Sequence, residues 1–313
     1  MCARVGDMKN IYLVVALFVV GLAGLFMAMS SLRSDAHDDV AIAASFYPIA
    51  FLTEQIASDA VPVFSVTPSD TEPHDYELTP DATLRLQSAP LFIHTGTDLE
   101  PWANDVVTAR AMQKLPSLAL LNAKNARKLD EGDSEHGEAF DPHFWLSPLR
   151  TIAATEQIAL ILTRLYPAQE VIFTTNAQAL METLREIDNA YRTELTTCAS
   201  RILVTDHDAF GYLADDYNLD VHAIRGISPD EEPSSATLAT LIELVRTQSI
   251  KTIFTEELVS PDIAETIARE TDVTVELLST IEGLTEEDIT AGNDYLSKLR
   301  GNLKTLKKSL ACN

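Results

Sequence analysis

AQEVIFTTNAQALMETLREIDNAYRTELTT, residues 168–197, contains neither proline nor glycine and reads as one long helix. Val171, Ile172, Ala177, Leu180, Leu184, Ile187 and Tyr191 recur at close to helical spacing along it. At 1.5 Å per residue the stretch would run about 40–45 Å, the span of a whole domain. Apolar strand patterns alternate with amphipathic segments on both sides, so the helix reads as a strut between two α/β lobes.

Working outward toward the N-terminus, strands are expected at 40–45, 61–66, 91–95 and, weakly, 118–121. Helices are expected at 48–58, at 80–88 with Leu84 facing inward, and at 100–110. A helix at 149–165 leads into the strut. Beyond the strut, strands are expected at 201–205, 220–224, 251–255 and 273–278. The helices between them fall at 208–216, 236–247 and 260–270, and a single closing helix at 289–310. Strands that alternate with helices imply parallel sheets flanked by helices, with ligand loops at the strand carboxyl ends. The expected organisation is an N-terminal segment at 1–39, a first lobe at 40–148, connecting helices at 149–198 and a second lobe at 199–313.

The chain has 313 residues, 46% of them hydrophobic, and a formal net charge of −24. A nucleic-acid binder needs a basic footprint, so that class is excluded. Arg4 and Lys9 precede an apolar run at 11–29, and Arg33 follows it. That pattern sends the downstream chain out of the cytoplasm, as an uncleaved anchor in preference to a signal cut near Ala28-Met29-Ser30. Cys198 and Cys312 are the two cysteines past this segment, and in an oxidising compartment they are expected to pair.

Three loops carry the chemistry. VTPSDTEPHDYELTP (66–80) presents His74 between Pro73 and Pro80, DPHFW presents His143, and VTDHDAFG presents His207 directly after a strand. Each histidine has an aspartate beside it, and three such loops read as one metal site assembled from distant parts of the chain. Imidazole donors favour zinc over manganese or calcium. Asp141 and Asp208 are placed to accept the second ring N–H of a ligating histidine. With unperturbed imidazoles titrating near 6.5, binding would weaken steeply below pH about 6. His136, in the acidic 124–138 loop, reads as a surface residue, His94 as a hydrogen-bonded group near the cleft, His222 as packing, and Trp102 and Trp145 as packing at the cleft edge.

TEPHDYELTP, DPHFWLSP, TDHDAFGYLA, GISPDEEPS, FTEELVSPDIAETIA and IEGLT…DYLSKLRGNLKTL together resemble the zinc and manganese solute-binding proteins of ABC importers, from residue 40 to the C-terminus. The resemblance implies two α/β lobes joined by one rigid helix, with the metal in the cleft between them. It implies His74 and His143 as ligands from the first lobe and His207 as the third, histidine where manganese-type members carry glutamate. The fourth position is assigned to Glu282, with Glu256, Glu72 or water as alternatives. Asp141, Asp208 and Glu256 would steady the rings. The implied activity is extracytoplasmic capture of Zn²⁺ by a monomer that serves a permease and its ATPase subunit. A manganese or iron carrier is the serious alternative. A zinc hydrolase is the remote one, because no HExxH signature occurs in the chain.

Overall fold

The computed structural model of the chain describes residues 41–129 and 140–313. The expected anchor at 1–39, Cys2 and His136 lie outside the described residues. In the first lobe, β1 (Ile42–Ala44), β2 (Val63–Ser65), β3 (Phe92–His94) and β4 (Ser117–Ala119) form a parallel sheet in the order β2-β1-β3-β4. In the second, β5 (Ile202–Thr205) pairs in parallel with β6 (Asp220–Ala223), and β7 (Thr252–Thr255) with β8 (Thr274–Leu277). β5 and β7 lie side by side, so the spatial order β6-β5-β7-β8 repeats that of the first lobe.

Local chemistry sets the helix boundaries. α1 (Tyr47–Ala57) has proline in its first turn, and α2 (Pro80–Ser88) starts where the Thr79 hydroxyl accepts the Ala82 N–H. α3 (Ala103–Met112) follows. Leu86, fully buried, is the inward residue of α2, whereas Leu84 is 66% exposed, contrary to the sequence expectation. The helix packs against α3, and Leu86 shares a buried cluster with Ala103 and Val106 of that helix.

α4 (Pro148–Leu165), capped by Ser147, runs into α5 (Glu170–Glu194), the strut. α5 has 25 residues and is therefore about 38 Å long. Its buried face is Phe173, Ala177, Leu180, Leu184, Ile187 and Tyr191, while Val171 and Ile172 point outward. Phe173 is in phase with Ala177 and Leu180, and Val171 and Ile172 fall off that stripe.

In the second lobe the helices are α6 (Gly211–Tyr217), α7 (Ser235–Thr247) and α8 (Asp262–Thr271). The expected single closing helix is two: α9 (Glu286–Ala291) and α10 (Tyr295–Ser309). Gly292 stops α9 in the left-handed conformation at φ 72°, and Asp294 with Ser297 forms a capping box that starts α10 anew.

α5 packs on α1 and α4 and on α10, so it touches helices of both lobes. Tyr191 donates to Leu299 O of α10 at 2.7 Å. One apolar core runs through both lobes, from Phe46 and Trp145 to Tyr191, Tyr212 and Tyr295. Satellite cores lie under α7 and α8 and under α2 and α3. Cys198 and Cys312 are disulfide-bonded.

Candidate metal centre

Parallel strands point the same way, so the loops after β2, β4, β5, β7 and β8 collect at one edge, between the lobes. The loop after β2 carries His74 in a single 3-10 turn at Pro73–Asp75, whose first N–H is tied by Glu72. His143 stands just before the turn Phe144–Leu146 that leads into α4. His207 follows β5, Glu256 follows β7, and Glu282 follows β8.

His74 Nε2 and His143 Nε2 are 3.3 Å apart, and so are His143 Nε2 and His207 Nε2. Glu282 Oε1 lies 3.5 Å from the His143 nitrogen, 3.9 Å from that of His74 and 4.0 Å from that of His207. One donor atom from each of these four residues falls within 4.8 Å of every other. A tetrahedral zinc with nitrogens at about 2.0–2.1 Å needs donor–donor edges of about 3.3–3.4 Å. The histidine edges match that figure. The Glu282 oxygen is buried, beyond hydrogen-bond reach of all three rings and without another partner among the described residues. A cation in the middle would satisfy it.

The far sides of two of the rings, His143 and His207, are set by carboxylates. His143 Nδ1 donates to Asp141 Oδ1 at 2.9 Å, which leaves Nε2 unprotonated toward the centre in the neutral ring. Asp141 is itself fixed by Arg127, 3.2 Å away, and Tyr212 donates to its carbonyl. Neither Arg127 nor Tyr212 was indicated by the sequence, because 14 and 71 residues separate them from Asp141. His207 Nδ1 donates to Glu256 Oε1 at 2.7 Å, and the His207 backbone N–H donates to the same oxygen. The carboxylate on His207 Nδ1 is therefore Glu256 and not the neighbouring Asp208, whose backbone N–H donates to Gly226 O.

Charges at the centre diverge as a consequence. Burial, with the neighbouring imidazoles, drives His74 down to about 3 despite Glu282. Burial also opposes protonation of His143, but Asp141 and Glu282 outweigh it and lift that ring to about 9. His207 is lifted likewise, Glu256 overcoming its burial. Glu282 falls to about 2 because the three imidazoles outweigh its burial. Glu72, buried and facing Glu282, rises to about 10. The site holds one firm carboxylate and three rings, a set built for a divalent cation.

The other sequence candidates sit elsewhere. His94 is buried at the end of β3, stacked 5.0 Å from Phe92, with its Nδ1 unpartnered among the described residues. His222 is partly exposed, with its Nε2 3.2 Å from Asp220 Oδ2, a polar contact where packing was expected. Trp145 is no edge residue. It is fully buried beside His143, and its indole N–H donates to Thr280 O at 2.8 Å.

The sequence profile of a family described as ZnuA, zinc-uptake complex component A periplasmic, matches residues 42–309. The zinc-binding lipoprotein AdcA of Streptococcus pneumoniae is 36% identical over 303 residues, which are 94% of this chain and 60% of that protein. The chain thus spans about three fifths of the length of that relative. The high-affinity zinc uptake system protein ZnuA of Bacillus subtilis is 33% identical over 311 residues, 94% of this chain and 97% of its own. Among solved structures, the Zn(II)-bound ZnuA-like domain of S. pneumoniae AdcA superposes with a TM-score of 0.75 at 37% identity, covering 87% of this chain and 98% of that one.

Proposed function

The chain belongs to the family of zinc-uptake complex component A, and from that premise we propose that it captures Zn²⁺ outside the cytoplasm and delivers it to an ABC importer. The observation that carries the reading is the meeting of His74, His143, His207 and Glu282 from four loops of two lobes, with histidine edges of 3.3 Å. Zinc is the cargo. Three imidazoles and one carboxylate form the nitrogen-rich tetrahedral set that zinc prefers, while manganese takes oxygen-rich octahedral sets. Asp141 and Glu256 fix the tautomers of His143 and His207, so both rings aim Nε2 inward before the ion arrives.

The named relatives are metal-binding transport proteins, and the same role is assigned here in preference to catalysis. A catalytic zinc keeps an open position for water, whereas Glu282 stands at the fourth corner and His143 and His207 are fully buried. The lobes are assigned to 40–148 and 199–313, with the helices of 149–198 between them, and each lobe supplies two of the four ligands. The N-terminal segment would hold the protein at the membrane surface beside a permease and its ATPase, as a monomer. Among the described residues no helix is long and apolar enough to cross a membrane.

Elemental analysis of the purified chain, followed by competitive titration of Zn²⁺ against Mn²⁺, tests the assignment. Zinc should win by orders of magnitude, and His207→Glu should narrow the gap by replacing a nitrogen donor with oxygen. Equal affinities in the unaltered protein would refute it.

A further inference from the structure

Gly283 follows the proposed ligand Glu282, and its surroundings differ from those of a glycine chosen for its own backbone. Its φ is outside the left-handed range, so an L-residue could adopt the same conformation within the second lobe. What forbids a side chain is the other lobe. A Cβ at Gly283 would overlap the carbonyl oxygen of Ser69 and lie 2.9 Å from its carbonyl carbon. Ser69 belongs to the same first-lobe loop as His74, and the next residue, Leu284, donates its N–H to Ser69 O at 2.9 Å. Two backbones from opposite lobes therefore touch one residue away from a ligand, with no flexible side chain between them to give way.

The loop that presents this contact is held from several directions. Asn302 brackets Ser279, its Oδ1 accepting the Ser279 N–H at 2.9 Å and its Nδ2 donating to Ser279 O at 2.7 Å. Trp145, from the first lobe, holds Thr280 O. Between them Ile281, buried and β-branched, sits at φ 54°, a conformation that persists only where its surroundings impose it. The Thr280 hydroxyl donates to Glu282 Oε2 at 3.1 Å.

We propose that Gly283 is the closure contact of the metal site: the Leu284 N–H to Ser69 O bond latches the lobes, and the missing side chain lets Glu282 reach the three histidines. The inference rests on the four-residue metal site. Gly283→Ala would act as a wedge that leaves each lobe folded but holds Glu282 back from the centre.

Zinc affinity is to be measured by chelator competition for the wild-type chain, Gly283→Ala, Glu282→Ala, the double variant and His143→Ala. Gly283→Ala should weaken zinc by about 10- to 100-fold, the range found when the support of a ligand is lost. Added to Glu282→Ala it should cost little more, since both remove the same interaction. In the zinc-loaded wild type the Leu284 amide should resist hydrogen exchange. Wild-type affinity in Gly283→Ala, additive losses in the double variant, or a freely exchanging Leu284 amide each overturn the latch alone. A wild type that does not bind zinc, or a His143→Ala variant that binds as well as wild type, overturns the metal site and the latch together.

Discussion

At the scale of single residues, the three histidines are chemically unequal. His74 is held neutral down to about pH 3, so it offers its nitrogen to the metal without proton competition above that value. His143, lifted to about 9, carries a proton at neutral pH, which a zinc bound at the proposed site would have to displace. The sequence alone implied three ordinary imidazoles and a steep loss below pH about 6. Asp141 moves part of that window upward, so affinity should keep rising between pH 6.5 and about 9. Calorimetry at pH 7 in buffers of different ionisation heat should detect at least about one proton released per zinc. No proton release, with affinity flat from pH 7 to 9, would contradict the pairing of His143 with Asp141. The metal-free protein carries the same signature. A group whose folded pKa is raised stabilises below its unfolded value and loses that contribution as pH climbs through the folded one. His143 and Glu72 both act in this sense, up to about 9 and about 10 respectively. The midpoint of thermal unfolding of the chelated protein should accordingly fall from pH 6.5 toward 9, and a rise over that interval would count against both.

At the scale of elements, each helix is fixed by which of its apolar residues finds a partner. In α2 that residue is Leu86, with Leu84 in solvent. Leu86→Ala should cost about 2–5 kcal/mol by opening a cavity, and Leu84→Ala about 0.5 kcal/mol or less. Denaturant titration of the two variants distinguishes them, and equal losses would mean that the helix is rotated from the orientation described here. The strut obeys the same logic, with Phe173 setting the phase of its buried face. α9 and α10 show what periodicity overlooks, because Gly292 and the Asp294–Ser297 box break a run whose apolar spacing continues across the gap.

At the scale of the whole molecule, the Cys198–Cys312 bond closes a loop of 114 residues around the second lobe. In the chain-entropy model such a loop stabilises by about 4–5 kcal/mol at most. Reduction should lower the unfolding midpoint, and non-reduced peptide mapping should recover the linked pair. Two freely alkylated thiols in the native protein would exclude the bond. The tie binds the end of α10 to the foot of the strut, so the helix whose Asn302 steadies the Glu282 loop is anchored at its far end.

The sequence by itself determined the alternation of strands and helices, the strut and the three histidine loops, because each is written in neighbouring residues as a period, a proline or a short motif, while the cysteine pair followed from there being two cysteines past the N-terminal segment. The resemblance to the solute-binding family pointed to Glu282 through the IEGLT motif. Only the tertiary structure decided that Glu256 and not Asp208 holds His207, that Arg127 and Tyr212 fix Asp141, and that Gly283 meets Ser69. It also decided which leucine of α2 is buried. The reason is physical: an amphipathic period fixes a stripe only to within a residue or so, and the partner of a polar atom is whatever the chain brings within about 3 Å. That distance is set by how two lobes close on each other, across more than 200 residues of sequence between Ser69 and Gly283.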